Sequence, residues 1–161
     1  MKTVVMLGTA HLLYQVREDD RTAELQKCLD CLKRKLGTQV VMEEWSEKKK
    51  DSVAKAFAPK LGLPWVNVGT PDEPQYWTCT GNVNYPGYNG AALPEYDPYA
   101  PGMIEYGPFE NQENRECRMV ENVRAEMEKY ETGLFILGTA HLHSLITKLR
   151  RLGFKVVAFS W

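Results

Sequence analysis

The sequence of 161 residues lacks a long uninterrupted apolar run, and its charges nearly cancel. A helix that crosses a bilayer needs about 20 consecutive apolar residues, so the sequence predicts no membrane span. A net charge of -1 at pH 7 gives no general attraction to nucleic acid. Gly8, Thr9 and His11 interrupt the apolar start, which argues against a signal peptide. These absences predict a cytoplasmic protein with neither a nucleic-acid nor a membrane partner.

Cysteine is also scarce, with four residues in the chain. Cys28 and Cys31 form a CxxC pair inside a helical pattern, and no second pair is present to complete a zinc site. Both are best interpreted as small apolar residues on a helix face. The length corresponds to about one domain, and we expect residues 1–161 to form a single domain.

Basic residues are missing from a long central stretch. No lysine or arginine occurs between Leu61 and Asn114, whereas acidic residues are frequent there. Within that stretch, residues 69–108 hold seven of the nine prolines and six of the eight tyrosines. The length predicts a functional or disordered loop, and the aromatic content argues against disorder. We expect either a lid over a substrate or an arm that packs on a second copy of the chain, forming a homodimer.

Short apolar strands alternate with helical patterns over the rest of the chain. Gly37, Gly62 and Gly153 each follow a helical pattern and predict its end. Strands are predicted at 3–7, 40–42, 65–68, 134–137 and 155–159, and helices at 19–36, 46–61 (capped by Ser46), 111–130 and 142–152. This order predicts an α/β fold, in which helices flank a mainly parallel sheet of about five strands and a long irregular loop is inserted.

One hexapeptide, LGTAHL, occurs twice without change, at residues 7–12 and 137–142, although its flanks do not repeat. Each copy follows a predicted strand. Because parallel strands end at one edge of a sheet, we expect His11 and His141 to face each other across one cleft at that edge. His143 lies two residues further on and is expected at the surface.

The turns that carry these histidines have a backbone requirement of their own. Gly8 and Gly138 allow a tight turn and the close approach of a ligand or cofactor. Thr9 and Thr139 are in position to cap the helices that follow. Turn chemistry alone would explain the glycine and threonine, but a shared histidine in both turns favours a functional role.

Other charged residues converge on the same edge. Glu43 and Glu44 follow the second strand, and Glu43 is expected to face the cleft because it comes directly after the apolar end of the strand. Arg115 lies near the predicted start of a helix, where a cation is electrostatically unfavourable. We therefore expect Arg115 to have a carboxylate or anion partner.

This set of side chains has two chemical interpretations. Imidazoles and carboxylates suit a divalent ion such as zinc, manganese or cobalt, and the candidate ligands are His11, His141, Glu43 and Glu44. Without metal, a histidine would act as a base, and Arg115 would stabilise an oxyanion. In both cases the candidate catalytic residues are His11, Glu43, Arg115 and His141.

The ordered motifs resemble those of the superfamily of TraB and Tiki proteins, erythromycin esterases and ChaN-like proteins. The matching segments are GTAH at 8–11, VVMEE at 40–44, RECRM at 115–119 and GTAH at 138–141. The resemblance spans nearly the whole chain and implies an α/β sheet whose site is built from the paired histidines and acidic residues. The chain is shorter than these proteins, and the acidic loop stands where larger helical insertions are expected.

The resemblance implies three kinds of activity. Tiki-like members carry out metal-dependent proteolysis, the esterases use a histidine as a base on water, and ChaN-like members are associated with haem or iron. The sequence therefore predicts a metal-dependent hydrolase that acts on a peptide, ester or amide bond of a small-molecule or peptide substrate. The alternative is a non-catalytic metal- or haem-binding or regulatory protein that keeps the site.

Overall fold

The computed structural model describes residues 1–9, 20–45, 52–69 and 108–160. Its helices and strands, in chain order, are β1 (Thr3–Thr9), α1 (Asp20–Leu36), β2 (Val40–Glu43), α2 (Val53–Phe57), a 3-10 turn (Ala58–Leu61), β3 (Trp65–Asn67), α3 (Pro108–Met127), β4 (Thr132–Gly138), α4 (Thr139–Arg151) and β5 (Lys155–Ser160). None of the helices in these ranges is both long enough and apolar enough to span a bilayer.

The five strands form one parallel sheet in the order β3-β2-β4-β1-β5. The predicted α/β class is therefore confirmed. The chain moves one way along the sheet through α1 and α2, and the other way through α3 and α4. The central strands β1 and β4 are buried along nearly their whole length, as expected for a parallel sheet covered on both faces.

Each face of the sheet has its own apolar core. Alternate residues of a strand point to opposite faces, so β2 sends Val40 and Met42 to one core and Val41 to the other. The first core packs β-strand side chains against α3 and α4, and its helix residues include Met119, Val123, Met127, Leu145 and Leu149. The second packs the opposite face against α1 and α2, with Leu25, Leu29, Leu32, Val53 and Ala54.

Glycine ends two helices and the 3-10 turn as the sequence predicts. Gly37, Gly62 and Gly153 have φ values of 68°, 68° and 87°, a left-handed conformation that glycine adopts without steric cost. The start of α2 was predicted incorrectly: its N-cap is Ser52 rather than Ser46. Its hydroxyl accepts a hydrogen bond from the Lys55 backbone N–H, and this helix is correspondingly short.

The two copies of the hexapeptide begin on neighbouring strands, β1 and β4, with a register shifted by one residue. Leu7 pairs with Ile136, and Gly8 pairs with Leu137. Because side chains alternate along a strand, the shift sends Leu7 to the core beneath α1 and Leu137 to the core beneath α3 and α4. Equivalent residues of the repeat therefore face opposite sides of the sheet.

The strands outside this pair follow the same relation. Val40 of β2 pairs with Gly133 of β4, and Lys155 of β5 pairs with Thr3 of β1. Gly133 and Thr3 are equivalent positions, because each lies four residues before the start of a copy of the repeat. The units β1-α1-β2 and β4-α4-β5 are thus related by an approximate twofold axis, which runs between β1 and β4 parallel to the strands. The sequence flanks do not repeat, but the strand–helix–strand units do.

Candidate functional site

The carboxyl end of β4 lies at a topological switch point of the sheet. The helix that follows β4 packs on one face of the sheet, whereas the helices that follow its neighbours β1 and β2 pack on the other. Neighbouring parallel strands whose connections leave toward opposite faces separate at their carboxyl ends, which is where ligands bind in open α/β sheets. The charged residues described below lie at this end of β4.

Glu44 joins three elements at this edge. Its Oε1 accepts a hydrogen bond from Arg115 Nη2 of α3 at 2.7 Å, and its Oε2 accepts one from the Gly138 backbone N–H at 3.0 Å. Gly138 is the N-cap of α4, so the carboxylate also lies at the positive end of that helix. Both interactions stabilise the charged form of a side chain that is buried.

The pairing predicted for Arg115 is confirmed, although its position on the helix differs from the prediction. The helix begins at Pro108 rather than near residue 111, so Arg115 lies about two turns into α3. Its side chain is half-buried and its described carboxylate partner is Glu44. The ion pair connects the end of β2 to α3.

His141 lies in the first turn of α4 and is buried against α3. Its Nδ1 is 2.9 Å from Glu116 Oε1, and its Nε2 is 3.7 Å from Glu44 Oε1. The imidazole therefore lies between two buried carboxylates. A carboxylate at Nδ1 fixes both the orientation of the ring and the nitrogen that carries the proton.

Glu116 is itself held by residues of α4. Its Oε2 accepts hydrogen bonds from Ser144 Oγ and, at 2.9 Å, from Lys148 Nζ, which also lies 2.7 Å from Ser144 Oγ. The described cluster thus combines two buried carboxylates, Glu44 and Glu116, with two cations, Arg115 and Lys148. Its charges balance around a histidine, so the low-dielectric surroundings can tolerate the cluster.

The expectation that Glu43 rather than Glu44 lies on the side of His141 is wrong. Strand alternation continues past the end of β2, so Glu44 follows Met42 to the face of α3 and α4, and Glu43 points to the opposite face. The Glu44 N–H still pairs with the Ile136 carbonyl of β4, which keeps the pleat regular. Sequence could not decide this, because both faces of β2 are buried.

Glu43 instead forms a separate polar contact beneath α2. Its Oε2 accepts hydrogen bonds from Ser52 Oγ at 2.5 Å and from Trp65 Nε1 at 2.7 Å, whereas its Oε1 is buried with no hydrogen-bond partner among the described residues. Burial raises the pKa of Glu43 to about 7, against smaller lowering effects of these hydrogen bonds and of Lys55. Glu43 supports the fold on the face opposite the candidate site.

The structure places the remaining predicted residues as follows. Gly8 lies on β1, where an added Cβ would come within 2.9 Å of Leu142 in the second copy of the repeat, so this glycine permits close packing of the two copies.

Thr139 does not cap α4, because Gly138 is the N-cap and no side chain forms a capping hydrogen bond there. His143 is exposed, as predicted. His11 and all but the ends of the 69–108 loop lie outside the described residues.

The predicted metal site therefore stays a prediction. Of its four candidate ligands, the structure brings Glu44 and His141 together, separates Glu43 from them and does not describe His11. Across residues 1–9, 20–45, 52–69 and 108–160, no group of three or more His, Cys, Asp or Glu side chains is placed to hold an ion.

Glu116 was missed in the sequence, although a signal for it was present. It lies three residues before Met119 and four before Val120, on the apolar stripe that α3 turns toward the sheet. A carboxylate on an apolar stripe needs a buried partner, and His141 supplies one. Ser144 and Lys148 follow His141 at three and seven residues, a spacing that places all three on one side of a helix.

No protein-family model, no curated protein and no solved structure matches this chain. The resemblance to the TraB, Tiki, erythromycin esterase and ChaN-like superfamily accordingly stays a prediction, and the functional proposal below depends on the geometry of the described residues.

Proposed function

We propose that this chain is a hydrolase that cleaves a peptide, ester or amide bond of a small-molecule or peptide substrate at the carboxyl edge of β4. The observation that carries the proposal is the buried 2.9 Å contact between His141 Nδ1 and Glu116 Oε1, beside the ion pair of Glu44 and Arg115. A histidine supported in this way has the features of a general base.

The contact with Glu116 supports a distinct role for each ring nitrogen of His141. A charged carboxylate only accepts hydrogen bonds, and Lys148 at 2.9 Å favours the charged form of Glu116. In this proposal Nδ1 donates the hydrogen bond to Glu116, and the role of base falls to Nε2. In the proposed reaction Nε2 takes a proton from the attacking water, and Glu116 stabilises the imidazolium that forms, as in other histidine–carboxylate pairs.

Arg115 supplies the positive charge that such a reaction requires. Attack of water on a carbonyl carbon places negative charge on the carbonyl oxygen, and a fixed cation in a water-poor site stabilises that charge. Glu44 fixes the guanidinium of Arg115 on the same face of the sheet as His141 and lies 3.7 Å from its Nε2. Glu44 is thus a positioning residue for both groups in this proposal.

A metal-dependent form of the proposal uses the same histidine. Metal-binding histidines usually donate the proton of their other ring nitrogen to a carboxylate or carbonyl, as His141 does to Glu116. His141 and His11 would then hold the manganese, cobalt or zinc ion. A divalent ion supplies a bound water whose pKa is lowered toward neutrality.

The test compares His141→Gln with His143→Gln, a matched control two residues away on the exposed side of α4. Untagged protein is incubated with p-nitrophenyl acetate and, separately, with a peptide mixture that is read by mass spectrometry. We expect His141→Gln to lose hydrolysis by about 10²- to 10⁴-fold in kcat, the usual contribution of a general base, and His143→Gln to retain it. Circular dichroism checks that both variants are folded.

Two outcomes would overturn the proposal. Equal hydrolysis by His141→Gln and the wild type would show that His141 takes no part in the reaction. If neither substrate class is hydrolysed, with or without added Mn²⁺, Co²⁺ or Zn²⁺, the non-catalytic metal- or haem-binding alternative is favoured. Metal content of the untagged protein, measured by mass spectrometry, separates the two forms. Hydrolysis that persists after metal ions are removed with a chelator supports the form of the proposal in which His141 acts as a base without a metal ion.

A further inference from the structure

β5 is an outer strand of the sheet. It pairs on one side with β1 over six consecutive residues without a bulge, and on its other side it meets no strand of the described ranges. Edge strands are usually protected by shortness, proline, bulges or charged side chains. The opposite outer strand, β3, has only three residues, whereas β5 carries its only charge at its first residue, Lys155. Within the described structure, β5 is therefore able to pair with a further strand.

Alternate residues of β5 direct their backbone groups away from the sheet. The N–H of Lys155 donates to the Lys2 carbonyl oxygen, on the side of β1. The N–H and C=O of one strand residue point to the same side, and that side alternates along the strand. Val156, Ala158 and Ser160 therefore each present a donor and an acceptor along the outer edge, at the spacing of an extended peptide backbone.

The part of the chain that forms this edge has no negative side chain. Residues 132–160, which contain β4, α4 and β5, include no aspartate or glutamate. Arg150, Arg151 and Lys155 lie at the end of α4 and the start of β5 and are exposed. None of these three side chains forms an ion pair or a hydrogen bond with another described residue. Their uncompensated positive charge favours an acidic partner.

Two exposed apolar side chains accompany these cations. Leu152 is 45% exposed, and Phe159 is 42% exposed. Val156 belongs to the core beneath α3 and α4, and side chains alternate along a strand, so Lys155 and Phe159 share the opposite face of the sheet. A strand paired beside β5 would place its own alternate side chains next to this row.

We propose that β5 is a docking edge for an extended acidic segment of a partner protein, which adds to the sheet as a further strand. The carboxylates of this segment interact with Lys155 on one face of the sheet and with Arg151 on the face that α4 covers, and an apolar or aromatic side chain packs against Phe159. When a peptide adds to a sheet edge, main-chain hydrogen bonds provide affinity and side chains provide specificity. Because β1 separates β5 from the end of β4, this surface is independent of the proposed function.

The backbone of β5 favours a peptide over other anionic partners. A peptide supplies acceptors for the outward N–H groups of β5 and donors for its outward C=O groups. The phosphate groups of a nucleic acid or a lipid surface only accept hydrogen bonds, so they would leave the carbonyl oxygens of Val156, Ala158 and Ser160 without donors. Covering such groups without partners costs free energy.

Fluorescence anisotropy with three labelled peptides tests the proposal at low salt. The first is an octapeptide in which pairs of glutamates alternate with pairs of tyrosines, so that each face of the extended peptide carries both. The second has glutamine in place of glutamate, and the third has N-methyl groups on its central residues, which remove backbone donors from both of its edges. We expect the first peptide to bind the wild type at least about fivefold more tightly than either control.

Variants of β5 locate the binding. Ala158→Pro removes an outward N–H and keeps the N–H groups that face β1, and proline is tolerated at such positions of edge strands. We expect it to weaken binding of the acidic peptide about 3- to 10-fold, the usual effect of one hydrogen bond. Lys155→Gln should weaken binding about two- to fivefold, the range for an exposed ion pair. The exposed Lys35→Gln at the end of α1 is the matched control and should bind as the wild type does.

Several results would overturn the proposal. These are failure of the acidic peptide to bind, equal binding of the three peptides, and unchanged binding to a folded Ala158→Pro protein, with folding checked by circular dichroism. If Ala158→Pro does not fold, the three peptides on the wild type still decide.

Other occupants of the edge are tested in parallel. A single-stranded oligonucleotide, phosphatidylserine vesicles and sedimentation of the protein alone serve as probes. Tighter binding of the oligonucleotide or of the vesicles than of the peptide would assign the edge to a different partner and contradict the proposal. Self-association of the protein that Ala158→Pro abolishes would assign the edge to a second copy of the chain and contradict it as well.

Discussion

The carboxylates of Glu43 and Glu44 lie in contrasting electrostatic environments on opposite faces of the sheet, although the two residues are adjacent in the chain. Glu44 receives a guanidinium and a backbone N–H at the start of a helix, whereas Glu43 receives a hydroxyl and an indole N–H among apolar side chains. The first environment stabilises a charged carboxylate, and the second raises the pKa. The difference follows from strand alternation alone.

Glu43→Gln tests this contrast through the pH dependence of stability. The pKa of Glu43 is raised from 4.5 to about 7 in the folded protein, so between these values the folded chain binds more protons than the unfolded chain. The stabilisation is therefore fully present below about pH 4.5 and is lost as pH rises through about 7, a change on the order of 3 kcal/mol. Gln imitates the neutral carboxyl and removes the dependence.

Urea denaturation at pH 5, 6, 7 and 8 measures this effect. We expect the free energy of unfolding of the wild type to fall with rising pH relative to Glu43→Gln. The exposed Glu24→Gln on α1 is the control and should follow the wild type. Parallel curves for Glu43→Gln and the wild type would show that Glu43 is already charged across this range.

The positions of the candidate residues were predictable to the extent that local pattern determines them. The identical turns indicated His141 and Gly138, and the unfavourable position of a cation near a helix start indicated that Arg115 needs a partner. The choice between Glu43 and Glu44 required knowledge of which face of the sheet α4 covers, which depends on the order of the strands. Glu116 required recognition that a carboxylate interrupts an apolar stripe.

Helix ends show how the elements are connected to one another. The C-terminus of α3 carries carbonyl groups that have no partner within the helix, and the ammonium of Lys2, beside β1, lies 2.6 Å from the Met127 carbonyl oxygen and 2.8 Å from that of Glu128. A cation at this end of a helix also interacts favourably with the helix dipole. Lys2 and Met127, which are 125 residues apart in the sequence, thus meet at this point.

Lys2→Ala should therefore destabilise the protein by about 1 kcal/mol, the usual net contribution of such hydrogen bonds and dipole interactions. Thermal unfolding followed by circular dichroism measures the change. Lys27→Ala, on an exposed side of α1, is the matched control and should leave the melting temperature nearly unchanged. An equal shift in both variants would mean that Lys2 contributes nothing specific to the C-terminus of α3.

Element boundaries were predicted best where one residue determines the backbone. Gly37, Gly62 and Gly153 end their elements through positive φ values, and glycine was the signal for each. Starts were predicted less well, because several polar residues can act as caps: Ser52 caps α2 through its own hydroxyl, whereas the prediction placed the cap at Ser46. The start of α3 at Pro108 follows the frequent use of proline in first helical turns.

At the scale of the whole molecule, the described ranges on either side of the long acidic segment build two apolar cores, one on each face of the sheet. The end of β3 meets α3 through Asn122, whose Nδ2 donates to the Val68 carbonyl oxygen. Asn122 lies fourteen residues after Pro108, so a linker from Gly69 to Pro108 must span about 21 Å along the helix.

Replacement of residues 72–105 by ten alternating Gly and Ser residues tests the role of this segment. Ten extended residues reach about 33 Å, which is sufficient for the span. We expect the fold to remain, with a cooperative melting transition, because every described residue of both cores is retained. A lid function predicts lower hydrolysis by the shortened chain, and an arm that joins two copies predicts a change in mass by light scattering. A shortened chain that does not fold would show that the segment belongs to the core.

The approximate twofold axis between β1 and β4 has a consequence for any small molecule that lies on it. Such a guest would lie between Gly8 of one unit and Gly138 of the other, and two orientations of the guest would be nearly degenerate if the units were identical. The two units differ at one position that the strand register makes equivalent. Beside β4 this position, just past the end of β2, is Glu44, and beside β1 it is Phe159 of β5. A carboxylate at one position and a phenyl ring at the equivalent position make the two units unlike in polarity, so the two orientations of such a guest would differ in energy.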